Sequence, residues 1–104
     1  MRIAVTQMAP VWENKEQNKL ICNKLVSAAA KEGAELIVFP EMTLTGFTMN
    51  VEYAGEKSLE GGETVEYFKE LSLKYDTDII FGMVYVDDMP YNLSVLVEKG
   101  RLRS

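Results

Sequence analysis

The chain has 104 residues, 47% of them hydrophobic, enough for one small domain with a core. A formal net charge of −5 and a pI near 4.7 argue against nucleic acid and against an anionic membrane surface, since both need a basic footprint. The absence of histidine excludes Ser-His and Cys-His catalysis and histidine-based zinc sites within this chain, and the single cysteine excludes an internal disulfide framework.

Arg2 to Met8 is rich in Ile, Val and Thr without strict alternation and is predicted to be a strand interior to a sheet, with Pro10 marking its exit. Nothing at this end has the length of a secretory leader, and no apolar run reaches bilayer length, so a cytoplasmic protein without a membrane partner is expected. Asn14 is a candidate N-cap, with Gln17 placed to complete a capping box. The helix it opens should run to about Glu32, with Gly33 as its left-handed terminator. Ile21, Cys22, Leu25, Val26, Ala28 and Ala29 share one helical face, and Lys19, Asn23, Lys24, Ser27 and Lys31 share the other. Cys22 lies mid-face among apolar neighbours, where no cation lowers its pKa, so it reads as packing and not as a nucleophile. Leu20 falls on the polar side, and the pattern gives no reason for it.

Leu36-Ile37-Val38-Phe39 is a short strand buried on both faces, ended by Pro40, which has no ladder N–H. Glu41 follows at once. A carboxylate just past the carboxyl end of a buried strand sits where open α/β sheets place their ligand crevices. Glu52, Glu56 and Glu60 recur every four residues and read as a solvated helix face, with Asn50 to Gly55 as a helical turn. Glu60-Gly61-Gly62-Glu63 is a turn whose acidic flanks would repel phosphate. Thr64 to Tyr75 is a second amphipathic helix, burying Val65, Phe68, Leu71, Ser72 and Tyr75. Asp78 to Val86 is a strand in which Gly82 signals a bulge or a close backbone approach. A turn at Asp87-Asp88-Met89-Pro90 leads to a returning strand, Tyr91 to Val97, and Lys99-Gly100 turns into one more strand at Arg101.

One string within this pattern is long and specific. Gly33-Ala34-Glu35-Leu36-Ile37-Val38-Phe39-Pro40-Glu41, followed by Leu44-Thr45-Gly46-Phe47, resembles the glutamate segment of the carbon–nitrogen hydrolase (nitrilase) superfamily. Gln7-Met8-Ala9-Pro10 and the Tyr91-Asn92 strand opening match the same family. The resemblance implies the amino-terminal half of an α-β-β-α sandwich, in β-α-β-α-β-β order, spanning residues 1–104 as a partial domain. It implies hydrolysis of a small amide or nitrile by a Glu-Lys-Cys triad through a thioester, with Glu41 as general base and no metal or organic cofactor. Phe47 is a candidate wall of the substrate pocket and equally an ordinary core residue, while Tyr85 reads as core. The family's lysine segment follows the strand that begins at Arg101, and its cysteine lies further on. Neither is in this chain, and Lys99 does not match the lysine. The chain alone is therefore expected to be inactive, and to form a homo-oligomer or associate with the missing half. The competing expectation is a self-contained α/β binding module with Glu41 as a ligand contact, although the final hairpin departs from the strand-helix alternation such a module would continue.

Overall fold

The computed structural model describes residues 1–6, 12–45 and 54–103. Strands β1 (Ile3–Val5), β2 (Leu36–Val38), β3 (Gly55–Glu56), β4 (Asp78–Asp87), β5 (Met89–Glu98) and β6 (Arg101–Leu102) form a six-stranded sheet, joined by helices α1 (Lys15–Lys31) and α2 (Glu63–Tyr75). The order is β1-β2-β4-β5-β6, with β3 pairing β4 off this path. β1, β2 and β4 are mutually parallel, and β4-β5-β6 is an antiparallel meander. The sheet is thus mixed, as the terminal hairpin pattern implies, and not doubly wound throughout.

The caps of α1 form as its sequence dictates. Asn14 Oδ1 accepts from the Gln17 amide at 3.0 Å. At the other end Gly33 takes φ 83°, its N–H bonds Ala30 O and the Ala34 N–H bonds Ala29 O, which is the Schellman arrangement. Between the caps the buried stripe is Asn18, Cys22 and Val26, while Ala28 faces solvent. The interior therefore takes in an asparagine in place of the expected alanine, for a reason found at the candidate site. Cys22 is fully buried, and desolvation pushes its thiol up to about 12, which leaves it inert at neutral pH.

Helices α1 and α2 cover one face of the sheet. Phe68 of α2 lies at the centre, its ring stacked on Phe81 at 4.2 Å, with Phe39 at 5.6 Å and the edge of Tyr67 at 5.4 Å. Ile37, Ile79, Val95 and Val97 point into the same cluster. The pleat sends the alternate residues to the opposite face. There the register aligns Val5, Val38, Ile80 and Leu96 in one row across four strands. Val5 is 74% exposed, and Val38, Ile80 and Leu96 are partly exposed, so among the described residues no layer covers this apolar row.

Three expectations need correction. β1 is terminal in the strand order and not interior, because it pairs only β2 among the described strands, which leaves Ile3 and Val5 exposed. The β4–β5 hairpin is longer than expected: Asp87 pairs Met89 and Val86 pairs Pro90, and Asp88 alone turns the chain at φ 60°, a conformation aspartate tolerates. Glu56 is not on a solvated helix face. It sits on β3 with a side chain 10% exposed, and its carboxylate accepts from the Thr64 amide at 3.0 Å and from the Thr64 hydroxyl. The N-cap of α2, Gly62, has no side chain to offer, so a carboxylate distant in sequence satisfies that helix end and complements its dipole. Glu52 lies outside the described residues.

The same helix end carries an ion network. Glu63 meets Lys19 Nζ at 2.9 Å and Lys15 Nζ at 3.4 Å. The bond from Lys19 is the main cause holding the Glu63 carboxyl below its ordinary pKa. Burial disfavours the Lys19 charge, yet Glu63 and Glu16 outweigh it and the lysine pKa rises. A carboxyl whose pKa is depressed by folding contributes stability above the unfolded carboxylate range and loses it as pH falls through the folded value. Glu63→Gln is therefore expected to lower the melting temperature at pH 7 and to match the wild type in strongly acidic buffer. Glu63 is 42% exposed, so solvent screening keeps the effect small. Equal differences at both pH values, from thermal melts of the two proteins, would refute the assignment.

Candidate active site

The site is built at the carboxyl end of β2. After Val38 the ladder continues for one residue, the Phe39 N–H bonding Ile80 O at 2.8 Å, and Pro40 ends it. Residues 41–45 then turn sharply, with Met42 at φ 49°. Met42, Thr43, Leu44 and Thr45 are all buried, while Glu41 is exposed. The segment is thus a packed turn whose acid alone projects.

Its backbone is tied down from three directions. The Thr43 N–H donates to Gly82 O and the Gly82 N–H to Thr43 Oγ1, both at 3.2 Å. Asn18 Nδ2 of α1 donates to Leu44 O at 2.7 Å, and the Glu13 N–H donates to Thr45 O at 2.6 Å. The burial of Asn18 is thereby explained: it supplies the donor that a carbonyl inside the domain requires. Gly82 makes the close approach its place in the strand implies. A Cβ there would lie 2.7 Å from Glu41 Cα and 2.8 Å from Met42 N, both backbone atoms. No bulge is involved, since β4 and β5 stay in register through Gly82 and Ser94.

Glu41 therefore stands where the sequence places it, past the end of a parallel strand, on a rigid turn. Phe47 lies outside the described residues, as do Gly46 and residues 7–10 of the Gln-x-x-Pro match. Tyr85 is half-buried on β4, opposite Tyr91. Lys99 and Gly100 form the turn between β5 and β6, both at positive φ, with Lys99 exposed. Sequence reasoning passed over Asn18 and Thr43. The signal for Asn18 was present, since it lies one turn before Cys22 on the apolar stripe. Among the described residues no helix is long and apolar enough to cross a membrane.

The profile of the carbon-nitrogen hydrolase family matches residues 2–102, a span that takes in the parallel βαβ unit, Glu41 and the antiparallel meander. The chain belongs to the carbon–nitrogen hydrolase family. A nitrilase of Pyrococcus abyssi is 28% identical over 101 residues, covering 93% of this chain and 38% of that protein. A nitrilase of Meyerozyma guilliermondii is 40% identical over 47 residues, covering 45% of this chain and 15% of its own. Among solved structures, an amidase from Nesterenkonia sp. superposes on all of this chain with a TM-score of 0.84, at 14% identity and over 41% of its own length. An N-terminal amidase superposes on 98% of the chain with a TM-score of 0.81, at 23% identity and over 26% of its own length. These likenesses establish the fold, an α/β layer matching part of the nitrilase-type sandwich. The chain spans well under half the length of each of these relatives.

Proposed function

We propose that this chain is the base-bearing portion of a C–N hydrolase acting on a small amide or nitrile, with Glu41 as general base. The observation that carries the reading is the pinned turn: a single exposed acid is presented at a sheet's carboxyl end by a buried segment hydrogen-bonded to β4 and α1. In this reading Glu41 takes the proton of a cysteine thiol supplied by the rest of the enzyme, and the thiolate attacks the amide or nitrile carbon. A lysine ammonium stabilises the developing charge, ammonia or an amine leaves, and Glu41 then activates the water that hydrolyses the thioester. The reaction needs neither a metal nor an organic cofactor, and a reducing cytoplasm suits its thiol chemistry. Glu41 is exposed in this chain, and the remainder of the enzyme would supply the walls around it. Phe47 is proposed as one wall contributed from this side.

The 104-residue chain alone supplies one of three catalytic roles and is expected to release no ammonia from amide or nitrile substrates. The test is the intact mass of the native protein against 11.7 kDa, followed by an ammonia-release assay on that protein. A native mass of 11.7 kDa with no released ammonia would overturn the hydrolase reading.

The uncovered row Val5, Val38, Ile80 and Leu96 is proposed to be where the second sheet of the sandwich packs. Without that layer, two copies should associate through it. Light scattering on the 104-residue chain is expected to give a mass above that of a monomer, and Ile80→Lys is expected to bring it down. A monomeric wild-type chain unfolding in two states would favour the self-contained module instead.

A further inference from the structure

We propose that Thr43 and Gly82 are positioning residues that set where the Glu41 carboxylate stands, an inference that rests on Glu41 being the base. The register is the starting point. Val38 pairs Ile80, so an ordinary parallel ladder would place Pro40 beside Gly82. Phe39 faces β4, its N–H bonding Ile80 O, so the continued ladder would pair the Gly82 N–H with Phe39 O and the Glu41 N–H with Gly82 O. Thr43 makes both bonds in their place, its N–H donating to Gly82 O and its hydroxyl accepting from the Gly82 N–H, both at 3.2 Å. Pro40, Glu41 and Met42 are consequently extruded from the ladder as a knuckle. The same hydroxyl closes the knuckle at its base, donating to Pro40 O at 2.6 Å.

One buried side chain thus satisfies a sheet amide and fastens the near end of the segment that carries Glu41. Thr43 is fully buried and Gly82 is buried, so water cannot replace either partner. Gly82 supplies the seat. The atoms a Cβ would meet are Glu41 Cα at 2.7 Å, Met42 N at 2.8 Å and Pro40 O at 3.0 Å, all backbone, so any side chain would lift the knuckle as a unit. A displacement of about 1 Å at a reacting group costs on the order of 100-fold in rate. Neither residue meets substrate in this account, and both act through Glu41.

The experiment uses Thr43→Val, Thr43→Ser, Gly82→Ala and Glu41→Gln, in the 104-residue chain and in the complete hydrolase that contains it. In the chain, amide hydrogen exchange read by NMR should be about tenfold or more faster at Gly82 in Thr43→Val, as for loss of one buried hydrogen bond. Thr43→Ser should restore it. In the hydrolase, Thr43→Val and Gly82→Ala should lower kcat by about 10- to 100-fold with KM nearly unchanged, and Thr43→Ser should recover most of the loss. Should Gly82→Ala fail to fold, the Thr43 pair decides alone. An inactive Glu41→Gln beside unchanged kcat in Thr43→Val overturns this inference while leaving the base reading standing. A fully active Glu41→Gln removes the base reading and this inference with it.

Discussion

Glu41→Gln is expected to lower kcat/KM of the complete hydrolase by about 10²- to 10⁴-fold, the usual contribution of a positioned general base. Glutamine keeps the shape of the carboxylate, with an NH2 group in place of one oxygen, but takes up no proton near neutral pH. In the 104-residue chain Glu41 is exposed, so the same substitution there should change stability by less than about 0.5 kcal/mol. Matching thermal melts of the two complete hydrolases then assign the rate loss to chemistry and not to folding. Glu41→Asp provides the complementary variant. It keeps the charge but withdraws it by one methylene on a backbone that Gly82 and Thr43 prevent from following. Partial activity is expected from it, with KM less affected than kcat. Ammonia release under saturating and limiting substrate separates these outcomes. A Glu41→Gln enzyme with wild-type kcat would place the proton transfer on another group.

Phe68→Ala should be the most damaging single core change. The ring is fully buried and touches Phe81, Phe39 and Tyr67, so it joins α2 to the sheet and to the strand that carries the site. Its removal leaves a cavity that stacked aromatic neighbours cannot fill without abandoning their rotamers, and about 3–5 kcal/mol of stability should be lost. A domain of this size holds only about 5–15 kcal/mol in total, so the variant should be largely unfolded well below the wild-type melting temperature. Leu20→Ala is the matched control. Leu20 is 59% exposed on α1, and its truncation should change stability by no more than about 0.5 kcal/mol. Urea titrations of the three proteins give the comparison directly. A Phe68→Ala unfolding free energy within about 1 kcal/mol of wild type would mean that the aromatic cluster does not hold the domain together.

Much of the architecture was legible because its determinants are local. Asn14 and Gly33 bracket α1 by cap chemistry that needs no tertiary partner, and both do what their residue types require. The apolar run before Pro40 and the period of Val65, Phe68 and Leu71 mark β2 and α2 for the same reason. Glu56 was misread because a fourfold spacing of acids says nothing about what the backbone between them is doing. Its burial follows from the bare amides of a helix with glycine at its N-cap, which lie seven and more residues away in the chain.

The sequence by itself determined the helices, the strand that ends at Pro40, the acid placed just beyond it and the family to which that string belongs. These depend on dihedral preferences, cap hydrogen bonds and apolar periodicity, each settled within a few neighbouring residues. Only the tertiary structure decided that Thr43 takes both backbone groups of Gly82, that Asn18 turns inward to Leu44 O, and that among the described residues no layer covers one apolar sheet face. Those outcomes depend on which buried donors and acceptors meet once distant strands align. A buried polar group must find a partner wherever the fold brings one, and its spacing along the chain does not name that partner.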